Sequence, residues 1–118
     1  MTTRLPTVRI QEVLRMQEFL QAKYGSRRPP KVAAALLVLY VHMDSIGEPL
    51  LATRAQVARH LRVNSLYGID AAIKLAKERE LIEEKVVRFP IGARLRLSQH
   101  VVARRYFVPS DEVRRVIR

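Results

Sequence analysis

The fold is decided by Thr53 to Glu84, TRAQVARHLRVNSLYGIDAAIKLAKERELIEE. Thr53 is a residue type whose hydroxyl caps helix N-termini, and it predicts a short helix over Arg54–Leu61. Arg62-Val63-Asn64 is a tight connection, after which Asn64 or Ser65 caps a second helix reaching about Glu80. Ile69, Ala72, Ile73 and Ala76 recur at helical spacing and predict the buried stripe of that second helix. With those four turned inward, Tyr67, Asp70, Ala71 and Lys74 face outward.

Working outward from this pair, Leu81-Ile82 leads into a strand expected over Lys85–Phe89, and Pro90-Ile91-Gly92 reads as a turn. Ala93–Leu97 then alternates, with Leu95 and Leu97 on one face and Arg94 and Arg96 on the other. Further on, Pro109-Ser110-Asp111-Glu112 has the form of a helix start, and Val113, Val116 and Ile117 share one side of the helix that follows. Upstream, Leu50-Leu51-Ala52 predicts a short edge strand. The run VAAALLVLYVHM belongs to a helix from Pro30 or Lys31 to about Ser45 that is apolar on nearly every face, hence central and buried. Ahead of it, Ile10, Val13, Leu14, Gln17 and Leu20, widened by Met16 and Phe19, mark a helix over Thr7–Tyr24 that Gly25 ends and Pro29-Pro30 prevent from continuing. Its stripe is either core of the same chain or a dimer interface.

The chain has 118 residues, which fits one domain able to bury a real core. It contains no cysteine, which excludes disulfides, cysteine-ligated metals and thiol nucleophiles. The apolar run from Val32 to Val41 is too short to span a bilayer, and Met1–Pro6 has no apolar leader segment. The net charge is +11, and arginine outnumbers lysine by 17 to 5. Arginine offers a planar fork of donors that matches phosphate oxygens and guanine edges, so the balance points to a polyanionic partner. The charge is unevenly placed. Residues 1–30 hold six basic and two acidic groups, residues 31–84 seven of each, and residues 85–118 nine basic and two acidic. A neutral apolar middle therefore lies between two basic ends.

Two short helices joined by a three-residue turn and followed by an arginine-bearing hairpin resemble a winged helix-turn-helix domain of the broad MarR/ArsR-like kind. The resemblance covers Thr53 to about Ser98. It rests on the small Ala58 between Val57 and Leu61, Val63 closing the turn, the stripe Ile69, Ala72, Ile73 and Ala76, and Leu81-Ile82-Glu83 opening the wing. The chain departs from the pattern at Arg62 and Glu80, where the family often has glycine, in a Val63–Ile69 spacing one residue longer than usual, and at Gly68, where a β-branched residue is common. The resemblance implies an α+β fold, mostly helical, with a two- or three-stranded wing and an extra N-terminal helix. Three parts are expected: an amphipathic helix over residues 1–28 that serves dimerisation, a winged helix-turn-helix domain over 29–98, and a basic extension with a short helix over 99–118.

It also implies sequence-specific binding of double-stranded DNA by a homodimer, with recognition helices entering major grooves about 34 Å apart. Asn64 and Ser65 sit at the tip of that helix, where base contacts begin. Lys74 reaches a guanine edge or a phosphate, Asp70 accepts from a cytosine amine, and Arg54 meets a phosphate. Tyr67 is either a base contact or a core aromatic, while Lys77 is either a DNA contact or an ordinary helix-surface residue. Arg88, Arg94 and Arg96 populate the wing and its base, and although arginines alternating with leucines also describe a solvated hairpin face, the nearby Arg104 and Arg105 favour a functional patch.

His42, His60 and His100 are far apart, the four glycines are isolated, and no nucleophile motif occurs. No metal, cofactor or catalysis is therefore expected, and no membrane. The expected role is a small cytoplasmic, nucleoid-associated transcription regulator. Plasmid partition or replication-origin binding, RNA or ribosome binding, and a protein-interaction module are the alternatives.

Overall fold

The computed structural model describes residues 5–25, 31–47, 53–91 and 100–117, and for residues 87–91 and 100–105 it describes the backbone. In chain order the elements are α1 (Ile10–Tyr24), α2 (Lys31–Ile46), α3 (Arg54–His60), α4 (Leu66–Glu78), β1 (Ile82–Ile91), β2 (His100–Pro109) and α5 (Asp111–Ile117). The fold is α+β: mostly helical, with one two-stranded antiparallel sheet. The edge strand expected at Leu50–Ala52 lies outside the described residues.

The helix ends follow from local hydrogen bonding. Thr53 Oγ1 accepts from the Gln56 N–H at 3.1 Å and Gln56 Oε1 accepts from the Thr53 N–H at 2.8 Å, a reciprocal box that starts α3 at the expected residue. Helix α1 begins at Ile10 rather than at Thr7, because Glu12 Oε1 accepts from the Arg9 N–H at 3.2 Å and makes Arg9 the cap. Helices α3 and α4 both end in a Schellman turn. The Val63 N–H donates to Ala58 O at 2.8 Å, and the Leu81 N–H to Ala76 O at 2.9 Å. Such a turn needs a left-handed residue, and Arg62 and Glu80 each supply one at φ 57° without being glycine.

Helix α2 is buried on nearly all sides, with Ala33, Ala34, Leu36 to Val41 and Met43 in the core. The reason is its surroundings: α1, α4, α5 and β2 all pack against it. They contribute Val13, Met16 and Leu20 from α1, Ile69, Ala72 and Ala76 from α4, and Val113 from α5. Ile73, expected in the α4 stripe, is half-buried against that core. Ile10 and Leu14, expected in the α1 stripe, are instead 77% and 52% exposed. They stand roughly a quarter of a turn (Ile10) and a third of a turn (Leu14) away from the buried line through Val13, Met16 and Leu20.

The sheet departs from the expected hairpin. Pro90 and Ile91 do not turn; they continue β1, opposite Val101 and His100. A two-stranded ribbon consists of two edge strands, so a residue lacking an N–H is tolerated within it. The partner strand is His100–Pro109, inside the segment expected to be an extension, and the expected second strand Ala93–Leu97 lies outside the described residues. Each strand has 10 residues, about 33 Å of ribbon at roughly 3.3 Å per residue. Its base is anchored. Ile82 and Pro109 pair there and are buried, the Phe107 ring lies 5.7 Å from that of Tyr40, and the Ser110 N–H donates to Leu81 O at 2.8 Å. Helix α5 then returns to the body. Ser110 Oγ accepts from the Val113 N–H at 3.3 Å, and the Arg114 guanidinium bonds Asp44 of α2 at 2.7 and 3.2 Å.

Candidate nucleic-acid interface

Helix α4 has two faces. Ile69, Ala72 and Ala76 are buried against α2, while Tyr67, Ala71, Lys74 and Lys77 are exposed and Asp70 is half-exposed. Tyr67 is 81% exposed, which removes it from the core. The turn before the helix leaves Asn64 and Ser65 at the surface. Ser65 occupies the cap position, yet its hydroxyl makes no cap hydrogen bond. The first N–H groups of α4 consequently carry a positive end that no side chain of the cap satisfies.

Arg54 and Asp70, separated by 16 residues, meet in an exposed ion pair between Arg54 Nη1 and Asp70 Oδ2, tying the first turn of α3 to α4. Hydrogen bonding to Asp70, reinforced by its charge, pushes the Arg54 guanidinium above its ordinary pKa. Lys77 Nζ lies 3.1 Å from Glu84 Oε2 and links α4 to β1. Lys74 has no ion-pair partner among the described residues.

Beside α4, β1 brings Lys85 and Val86 to the surface. Backbone register sets Arg88 opposite Ala103, Arg104 opposite Val87 and Arg105 opposite Val86. Arg94 and Arg96 lie outside the described residues. The structure thus brings Arg54, Asn64, Ser65, Tyr67, Asp70, Lys74 and Lys77 to α3, α4 and the turn between them, and places Arg88 on the adjoining ribbon.

Several contacts around this surface were not legible from spacing alone. Arg79 stacks its guanidinium 4.1 Å above the Tyr24 ring, and the Tyr24 hydroxyl donates to Arg79 O at 3.4 Å, so the ends of α1 and α4 are joined. His60 Nε2 lies 2.6 Å from Pro6 O and holds the segment ahead of α1 against the end of α3. Spacing along the chain gives no partner for Arg54, Lys77 or Arg79; the packed elements supply Asp70, Glu84 and the Tyr24 ring. Among the described residues no group of three or more His, Asp or Glu side chains is arranged to hold a metal, and no helix is long and apolar enough to cross a membrane. Comparison of the chain with protein-family models, with curated proteins and with solved structures gives no match in any of the three.

Proposed function

We propose that the chain is a winged helix-turn-helix protein that binds double-stranded DNA, with α4 in the major groove and the β1–β2 ribbon along the neighbouring backbone. The observation that carries this reading is the outward face of α4: Tyr67, Ala71 and Lys74 stand clear of the body, beside a ribbon whose sequence carries Lys85, Arg88, Arg104 and Arg105 beyond Glu83-Glu84 at its base. A groove about 12 Å wide admits a helix held from behind in this way. The left-handed residues Arg62 and Glu80 add support, because they stand where related domains often place glycine. The uncapped start of α4 is suited to a phosphate.

The protein acts as a homodimer on a repeated or pseudo-palindromic site. The exposed pair Ile10 and Leu14 on α1 offers an apolar surface for that contact. The simplest use is transcriptional regulation, without catalysis.

A second reading, binding of structured RNA, is favoured by one observation: an exposed tyrosine in the first turn of α4 is suited to stacking on an unpaired base. Affinity for random duplex DNA and for structured RNA of equal length, each at two salt concentrations, separates the two. DNA binding predicts tighter association with the duplex and a steep loss of affinity with salt. Lys74→Ala is expected to weaken binding to all duplexes and lower the salt slope by about 1. Tighter binding to RNA at both salt concentrations, or a duplex affinity indifferent to salt, contradicts the proposal.

A further inference from the structure

We propose that Asp70 is a specificity-determining residue of this interface: it withholds Arg54 from general phosphate binding and releases it where a cytosine amine in the major groove takes its place on the carboxylate. The inference rests on α4 being the helix that enters the groove.

Three features of the structure lead to it. Asp70 is an acid on a face that otherwise presents Tyr67, Ala71 and Lys74, where a carboxylate is costly beside DNA phosphates unless something donates to it. Its partner is not Lys74, one helical turn further along the same face, but Arg54 on a different helix. Arg54 is in turn the basic residue at the first turn of α3, beside the groove-facing helix, and pairing with Asp70 uses the donors it would offer a phosphate.

The pair is exposed, and ion pairs of that kind are weak and screened, so it is exchangeable. On a duplex without a matching base the pair stays closed and Arg54 adds no phosphate contact, or it opens and leaves a carboxylate facing the groove with no donor. On a duplex with cytosine at the facing position, the N4 amine donates to Asp70 and the guanidinium turns to the backbone. Discrimination thus arises from a loss on wrong sequences as well as a gain on the right one.

The test measures binding of a random-sequence duplex pool by fluorescence anisotropy at several salt concentrations, for the native chain, Asp70→Asn, Arg54→Gln and the double variant. Both side chains are exposed, so the variants keep the fold. Freeing one arginine for one phosphate predicts that Asp70→Asn tightens pool binding about eightfold at roughly 0.1 M salt and steepens the salt slope by about 0.9. In the Arg54→Gln background the same change is expected to give no more than about twofold, the screened effect of removing one negative charge. Selection from the pool is expected to enrich a G·C pair at one position per half-site with the native chain and to lose that enrichment with Asp70→Asn. An equal gain in both backgrounds, or no gain in either, overturns the role of Asp70 while leaving duplex binding in place. No duplex binding by the native chain overturns both.

Discussion

The helical body and the β1–β2 ribbon are built on opposite principles. In the body the helices are held together repeatedly: α2 packs against α1, α4, α5 and β2, while Lys23–Glu112, Arg114–Asp44 and Tyr24–Arg79 tie helices together at the surface. Among the residues whose side chains are described, the ribbon is held at its base, by Ile82, Phe107 and Pro109, and four residues further along β1 Val86 is 52% exposed. An isolated two-stranded ribbon is marginal in water. The difference lies in the packing: the core is built from the apolar middle together with α1 and α5, whereas of the ribbon only the base enters it among the residues whose side chains are described.

The largest effect that sharpens this contrast belongs to the body. Leu36→Ala removes a side chain that is 1% exposed and is expected to cost about 2–5 kcal/mol in denaturant unfolding. Alkaline unfolding tests the same core. Burial pushes the Tyr40 phenol above its ordinary pKa, so the folded chain keeps a proton that the unfolded chain releases. That contribution is intact below about pH 10 and is lost as pH rises beyond it, with a slope approaching about 1.4 kcal/mol per pH unit. Tyr40→Phe is expected to flatten that part of the stability profile. Next in size is Arg114→Ala, which unpins α5 from Asp44 and is expected to cost about 1 kcal/mol.

Glu80→Gly works in the opposite direction. It places glycine at φ 57° and is expected to raise stability by about 0.5–1 kcal/mol, read as a higher unfolding midpoint. The smallest effect belongs to the ribbon: Val86→Ser at an exposed position is expected to change stability by less than about 0.5 kcal/mol. A ribbon substitution that costs as much as Leu36→Ala would erase the distinction between the two regions.

What the sequence makes legible follows the same division. Periodicity finds α4 and its buried face because Ile69, Ala72 and Ala76 repeat at the helical interval, and Thr53 marks the start of α3 because capping is local chemistry. The ribbon is harder to read. Strand pairing joins Ile91 to His100 and Ile82 to Pro109 across the chain, and Pro90 and Ile91, which read locally as part of a turn, continue the strand instead. Ile10 and Leu14 fall within the apolar spacing of α1 but off its buried line, a distinction that depends on where the second helix lies. The Arg54–Asp70 pair is beyond local reading altogether, since its partners are 16 residues apart on two helices.

If the outward face of α4 and the ribbon together grip duplex DNA, an amide NMR titration of the full chain with a short duplex is expected to show it. The largest shifts are expected on Asn64 to Lys74 and on the strands beyond Val86, while buried α2 and α5 move little. Shifts confined to α1 around Ile10 and Leu14, or none at saturating duplex, would contradict it.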